Sequence, residues 1–323
     1  MKLEDIGFYT LSDQRAKGAS EVSNLKRCEL ILTDRCNFKC TYCRGIKKEY
    51  QGDLDFKEAE RIVSYWLDNE LENIRFSGGE PTLYQGLNEL VERCKFCGVK
   101  NIAVSTNGYS EMDVYERLIK DGVNDFSISL DACCSVIGNE ISNTKGSWEK
   151  VVDNIRKLSK LTYVSVGMVF TEENIDSCVE SALFADGLGV SDIRIIPSAQ
   201  YNEALIMLAK LPEDILNKYP ILKYRINNIR NGRHVRGIQE SDCNKCWLMM
   251  DDMAVMKGFH FPCIIYLREG GEPIGKVGEN CRKERVKWIM DNNTKENIIC
   301  KNNCLDVCID YNNKVESFNK ELV

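Results

Sequence analysis

Six short apolar runs alternate with amphipathic stretches between residue 28 and about residue 200, and this alternation constrains the fold more than any other feature of the chain. "CELILTD" (28–34), "NIRFSGG" (73–79), "NIAVSTNG" (101–108), "DFSISLDA" (125–132), "YVSVGMVF" (163–170) and "DIRIIPS" (192–198) each read as a buried strand. Between them Phe56, Ala59, Ile62, Val63, Trp66 and Leu67 recur at helical spacing, as do Trp148, Val151, Val152, Ile155 and Leu158. Thr171, followed by Glu172 and Glu173, reads as a helix N-cap. Repeated strand–helix units require a parallel sheet. The expected class is therefore α/β, a partial (β/α)6 TIM-like barrel with a small C-terminal Cys-rich α+β extension. The expected segments are an N-terminal extension (1–27), the barrel core (28–200), a linking helical and basic segment (201–240) and the Cys-rich domain (241–323).

Lys plus Arg number 43 and Asp plus Glu 49, so a net charge of −6 gives no general attraction to nucleic acid or to an anionic membrane. No signal peptide and no long uncharged apolar run is visible, which places the expected protein in the cytoplasm. In that reducing compartment the 16 cysteines are available to metals rather than to disulfides. Only His234 and His260 occur, so any metal centre is sulfur-rich, which favours iron–sulfur or zinc.

"TDRCNFKCTYCRG" (33–45) places Cys36, Cys40 and Cys43 on the loop that leaves the first predicted strand. Three closely spaced thiolates with no histidine nearby fit an iron–sulfur cluster, and zinc accepts the same sulfurs. A four-iron cubane held by three thiolates keeps one iron open for chemistry. This spacing, with Tyr42 just before the last cysteine, resembles the signature of the radical S-adenosylmethionine (SAM) superfamily, in which SAM chelates the fourth iron. A zinc knuckle is the structural alternative.

"SGGEP" (77–81) ends the second predicted strand. In the superfamily this turn binds the amino group of SAM, which assigns Gly78, Gly79 and Glu80 to the cofactor. Glycines permit close backbone approach, and a carboxylate or carbonyl accepts from an ammonium. The same resemblance assigns the later strand ends, Ser105, Thr106, Asn107, Ser129 and Asp131, to SAM's ribose and carboxylate. Helix capping is the alternative for each of them. "EGGEP" recurs at 269–273 among turn-rich segments and reads as a hairpin turn.

The remaining cysteines divide by context. Cys94 and Cys97 lie at helical spacing with Leu87, Leu90 and Val91, Cys178 lies with Ile175, Val179 and Ala182, and Cys28 opens a strand. All read as core, where cysteine behaves as a small hydrophobe, with a redox pair as the alternative for the CxxC of Cys94 and Cys97. Cys133 and Cys134 follow Asp131 at the mouth. They are either inert loop residues or hydrogen-atom donors, a role known in some radical SAM peptide epimerases. "CWLMMDDMAVMKGFHFPC" (246–263), with Gly258 ahead of Cys263, then "EPIGKVGEN" and the helix-like "RKERVKWIM" (282–290), resembles the SPASM or twitch extensions of radical SAM enzymes. That resemblance implies one auxiliary 4Fe–4S cluster on Cys243, Cys246, Cys263 and Cys308, with Cys300 and Cys304 as alternates. A tail zinc site is the competing reading.

The resemblance implies a reaction in which the reduced 4Fe–4S cluster cleaves SAM and a 5′-deoxyadenosyl radical takes hydrogen from the substrate, with a flavodoxin or ferredoxin as electron donor. It implies a peptide or protein substrate, or alternatively a small metabolite. The cyclase family that acts on GTP for the molybdenum cofactor shares a CxxC followed by a distant cysteine, as in Cys243, Cys246 and Cys263, although that family ends in Gly-Gly and this chain in "NKELV". The 27 residues ahead of the first strand are too few for a winged-helix leader-binding domain. Lys223, Arg225, Arg230, Arg233 and Arg236, with no intervening acid, form either a solvated helix face or an attraction for an anionic substrate. A non-catalytic Cys-rich metal or electron-transfer protein is the third class, and it leaves the first "GGEP" unexplained.

Overall fold

The computed structural model describes residues 13–197 and 203–321, so Ser198 of the sixth predicted strand and the expected boundary near residue 200 lie outside the described residues. The strands are β1 (Arg27–Thr33), β2 (Asn73–Gly78), β3 (Asn101–Thr106), β4 (Asp125–Ser129), β5 (Tyr163–Phe170), β6 (Asp192–Pro197), β7 (Asp252–Met256), β8 (Phe259–Phe261) and β9 (Gly275–Lys276). The first six lie where the apolar runs place them. β3 and β4 stop short of the predicted ends, which leaves Asn107 and Asp131 on the loops beyond.

The chain divides into two compact units. One comprises Arg44–Ile102, Arg236–Val323 and the stretch ending at Arg35, and the other comprises Cys36–Cys43 and Ala103–Val235.

In the first unit β1 pairs in parallel with β2 on one side (Cys28↔Ile74, Leu30↔Phe76) and with β7 on the other (Cys28↔Met253, Leu30↔Val255). A parallel strand covered on both faces is apolar on both, and Cys28, Leu30, Ile31 and Leu32 are all buried. Each such large side chain contributes about 1.5–3 kcal/mol. Arg27 supports the register by pairing across to Asp252 at 2.6 Å, and it lies 3.6 Å from Glu29 on its own strand. β7 turns into antiparallel β8 through Lys257 and Gly258, both at positive φ, the backbone a two-residue type I′ hairpin needs. β9 then pairs with β8. The helix Phe56–Asp68 starts at Asp55, whose side chain accepts from Glu58 N, and it buries Ala59, Ile62, Val63 and Trp66. The helix Leu87–Phe96 buries Cys94 as expected, but Cys97 is an exposed C-cap rather than core.

In the second unit β3, β4, β5 and β6 run parallel, with Ser105↔Ser127, Ser127↔Ser165 and Val166↔Ile193 in register. The helix Ser147–Leu158 buries Val151, Val152, Ile155 and Leu158. Thr171 caps a turn rather than a helix. Its Oγ1 accepts from Glu173 N, and the next α-helix begins at Cys178. The basic run does not form one patch: Arg225 and Arg236 are buried, and Arg230 pairs with Glu213. Among the described residues no helix is long and apolar enough to cross a membrane.

Candidate functional site

The loop Cys36–Cys43 is held at both of its turns. Lys39 N donates to Ser142 O and Thr41 N to Ile141 O, which fastens the loop to the end of the helix Ser135–Ser142, while Cys43 N closes a turn on Cys40 O. The Phe38 ring packs on Tyr109 with centroids 5.3 Å apart. Asn107 donates to Asn37 Oδ1 at 2.6 Å and toward Cys36 Sγ at 3.7 Å, and Phe38 N donates to the same sulfur at 3.4 Å. Tyr42 donates its phenol to Asp131 Oδ2 at 2.6 Å, and Asp131 Oδ1 accepts from Val169 N at 2.7 Å.

This geometry gathers three thiols. Burial pushes the Cys40 thiol up to about 12, and negative charge on Asp131, Cys43 and Cys36 adds to the rise. Thiolates that oppose one another in this way are stabilised together only by bound positive charge, which is the condition for a metal ligand set. Burial also lifts Asp131, to about 6, against the opposing hydrogen bonds from Tyr42 and Val169.

Of the other expected residues in this unit, Thr106 is turned inward, with Oγ1 3.3 Å from Tyr115 Oη and accepting from Gly108 N. Asn107 Oδ1 caps its own turn by accepting from Tyr109 N. Ser105 is half-buried and Ser129 is exposed at the strand end. Cys133 and Cys134 are half-buried, with Cys134 at the N-terminus of the helix Ser135–Ser142. Asn174, which the sequence did not single out, is buried and donates to Asp131 O and Val169 O, which fixes the loop after β5 against the Asp131 loop.

In the first unit the "GGE" turn closes against the chain that leads into the cysteine loop. Gly79 N donates to Thr33 O and Glu80 N to Arg35 O, both at 2.7 Å. A Cβ on Gly78 would stand 2.4 Å from Thr33 O, and one on Gly79 would stand 2.3 Å from Arg35 O. The glycines are thus required by backbone packing within the chain itself. Glu80 is fully buried, and its carboxylate accepts from Thr82 N and Thr82 Oγ1. The second pentad corrects the hairpin expectation. Gly270 N donates to Leu267 O and Gly271 N to Tyr266 O, which makes "EGGEP" the Schellman cap of the helix Ile264–Arg268. From that helix Arg268 reaches back and donates to Gly78 O at 2.9 Å.

The tail thiols lie in the same unit. Burial raises Cys246 well above the ordinary thiol range, with charge on Cys263 and Cys308 adding to it, and Cys263 rises for the same reason with Cys308 and Cys300. Cys300 is pushed up to about 12 by burial and then by Cys246. Cys304 is raised by its hydrogen bond with Cys308, then by burial and by Cys308, Cys246 and Cys263. Cys243 has Sγ accepting from Lys245 N and 3.6 Å from Glu316 Oε2. Cys263 caps the helix Ile264–Arg268, with Sγ accepting from Tyr266 N. His260, Cys281 and Glu284 also bring donor atoms within 4.8 Å of one another. Here the fully buried His260 places Nε2 2.8 Å from Glu284 and Nδ1 3.5 Å from the Arg285 guanidinium. Arg285 also clamps the carbonyls of Met249, Phe261 and Pro262. A guanidinium offers only donors, so Nδ1 accepts and the proton sits on Nε2 facing Glu284. This group is a hydrogen-bonded core rather than a ligand set. Burial and Arg285 lower His260 to about 4.

A parallel α/β chain with a pinned three-cysteine loop after its first strand has the donor set of a sulfur-rich metal protein. Residues 30–185 match the Radical SAM superfamily, so the chain carries a radical SAM domain over that stretch. It is a radical SAM enzyme, and that domain implies a 4Fe–4S cluster and SAM as cofactors. Relatives include a probable GTP 3′,8-cyclase of Sulfolobus acidocaldarius, 28% identical over 53% of this chain and 56% of that one. The GTP 3′,8-cyclase of Staphylococcus carnosus is 32% identical over 55% of this chain and 50% of its own length. The chain thus spans about half the length of these relatives. Similar folds are those of Streptococcus suis SuiB bound to the precursor peptide SuiA (TM-score 0.60, 16% identity, 82% of this chain and 65% of that one) and of native anSMEcpe with bound AdoMet and Cp18Cys peptide (TM-score 0.57, 18% identity, 92% and 95%). These likenesses identify the fold as the parallel-sheet α/β architecture of radical SAM partial TIM barrels.

Proposed function

We propose that this enzyme modifies a peptide or protein substrate, with Cys36, Cys40 and Cys43 holding the SAM-binding cluster and an auxiliary cluster in the tail. The observation that carries the reading is the pinned loop: Tyr42 to Asp131, Lys39 and Thr41 to the helix end, and Asn107 to Asn37 together hold three thiols in one place with no disulfide partner. When bound, cluster and SAM supply a 5′-deoxyadenosyl radical able to remove hydrogen from an unactivated carbon. The residues of the chain position and shield. Asn107 and Phe38 N hydrogen-bond the Cys36 sulfur, which stabilises its thiolate, and Tyr42 with Asp131 fixes the loop. The glycine turn at 78–80 takes the amino end of SAM through its backbone, since the Glu80 carboxylate is engaged by Thr82. Ser105, Ser129 and Asn107 serve the ribose and carboxylate, whereas Thr106 acts as a structural cap.

For the auxiliary cluster the mutual influence of Cys246, Cys263, Cys304 and Cys308 supports these four as ligands, with Cys300 beside them. Peptide chemistry is favoured because the likeness to anSMEcpe with a bound peptide runs through 92% of the chain, tail included. The second reading is a small-metabolite substrate, favoured by the sequence likeness to GTP 3′,8-cyclases over about half of the chain. A flavodoxin or ferredoxin donor serves either. The test is anaerobic reconstitution, dithionite reduction and mass measurement of SAM products and candidate substrates. Deoxyadenosine formation with a mass change on a peptide supports the proposal, and a mass change on GTP alone replaces it with the second reading. Iron-free protein carrying stoichiometric zinc sinks both.

A further inference from the structure

A cavity of about 450 Å³ opens in the first unit, between the segment that follows Cys43 and the helix Ile264–Arg268. That volume is in the range of small-molecule sites, roughly 300–1,000 Å³. Its polar wall carries three cations, Arg44, Lys47 and Arg268, and one carboxylate, Glu269. Its floor is apolar, with Met256, Phe261 and Leu267 from a buried cluster and Tyr50 packed on it.

The partners of these cations leave them able to take a ligand. Glu269 Oε1 pairs with Arg44, and Arg236 lies 3.9 Å from the same oxygen. Because the buried Arg236 remains beside Glu269, Arg44 can turn to another anion without stranding that carboxylate. Lys47 is held by Glu272, whose side chain is 76% exposed, and such a surface pair is weak and readily exchanged. Arg268 gives one nitrogen to Gly78 O, and a guanidinium fork has further N–H groups to offer. Three cations (Arg44, Lys47, Arg268) thus share the wall of an apolar-floored hollow with one carboxylate, Glu269. Two guanidinium forks on one wall match the planar geometry of a carboxylate or phosphate.

We propose that this cavity binds an anionic group of the substrate, with Arg44 and Arg268 as its binding residues and Glu269 as the counter-ion that the anion partly replaces. The inference rests on the radical SAM reading, since Arg44 directly follows Cys43 in the chain and Arg268 holds the carbonyl of Gly78 in the glycine turn. The anion has two possible sources, a nucleotide phosphate or an acidic peptide side chain, and both present the same chemistry to the wall.

Calorimetry on the reconstituted protein tests this with inorganic tripolyphosphate, GTP, a Glu-containing hexapeptide and the same peptide with Gln. Binding of at least one anionic probe is expected, with the Gln peptide binding roughly ten-fold or more weakly than the Glu peptide if the peptide is the source. A phosphate-only response assigns the cavity to a nucleotide and a Glu-peptide response to an acidic peptide, and either supports the inference. Arg44→Gln and Arg268→Gln are each expected to weaken the responding probe by roughly ten-fold. Glu269→Gln is expected to tighten it, a change of opposite sign that misfolding would not mimic. Absence of binding by every anionic probe overturns the inference, as does unchanged affinity in both arginine variants. Iron loading and deoxyadenosine formation by the unaltered protein are measured in parallel, so that failure of the radical SAM reading is seen separately.

Discussion

Tyr42 and Asp131 are joined by a 2.6 Å hydrogen bond from phenol to carboxylate, and this bond ties the three-cysteine loop to the end of β4. Burial lifts Asp131 to about 6, against about 3.9 in an unfolded chain. Between these values the folded state holds the additional proton. The stability this carboxyl contributes is therefore full below about pH 4 and is lost as pH rises through about 6. The phenol limits that loss by bonding the ionised form. Tyr42→Phe is accordingly expected to destabilise by about 1–2 kcal/mol at pH 8 and by less at pH 5, read as melting shifts at matched cluster content. Equal shifts at both pH values would show that the hydroxyl does not act through Asp131.

The loop's metal content can be separated from that of the tail. Intact reconstituted protein is expected to hold about eight irons, two cubanes of about four each. Replacing Cys36, Cys40 and Cys43 together with Ala should remove about half and abolish deoxyadenosine formation, since no open iron remains for SAM. Retention of SAM cleavage by the triple variant would place the catalytic cluster elsewhere.

The two glycine pentads provide a matched comparison. Gly79→Ala drives a methyl to 2.3 Å from Arg35 O and 2.5 Å from Asp34 O. Backbone cannot yield as a flexible side chain can, so a cost of about 1–3 kcal/mol is expected. Because Arg35 runs directly into Cys36, SAM affinity and iron retention should fall together. Gly271→Ala instead meets the Tyr266 ring at the Schellman cap. It should loosen the tail while SAM affinity holds, and equal loss of SAM binding in both variants would reject the separation of roles.

What was legible in the sequence follows from how local its cause is. β1 to β6 were readable because a strand covered on both faces must be apolar throughout, and "CELILT" can be little else between charged flanks. The parallel addition of β7 to β1 was not, since "DMAVM" declares a strand but not its partner. "EGGEP" was read as a hairpin because the helix before it spans only five residues, too short to show a 3.6-residue period. The cysteine loop stands out through its spacing, its lack of histidine and the Tyr42 beside Cys43. The convergence of Arg44 and Arg268 on one cavity was invisible because it depends on tertiary placement of distant segments. Glu80 is a further case: a polar residue in a ligand-binding motif turns out to cap its own turn, and no spacing rule distinguishes the two roles.

The tail cysteines supply the final prediction. Cys304 is hydrogen-bonded to Cys308 and feels the charges of Cys246 and Cys263, whereas the Cys243 sulfur lies 3.6 Å from the carboxylate of Glu316. The thiol charges that act on Cys246, Cys263, Cys300 and Cys304 come from within that group and from Cys308. Cys304→Ser is therefore expected to lose about four irons per chain while Cys243→Ser keeps them. With SAM and dithionite, the Cys304 variant should still form deoxyadenosine, because the ligands of the first cluster lie on a separate loop, but substrate conversion should collapse. A metal site can contribute several kcal/mol or more of local stability, so both variants must first be shown to be soluble and to retain parent helicity. Loss of the same iron from the Cys243 variant would restore that residue to the ligand set, and full iron with parent-rate conversion in the Cys304 variant would remove Cys304 from it.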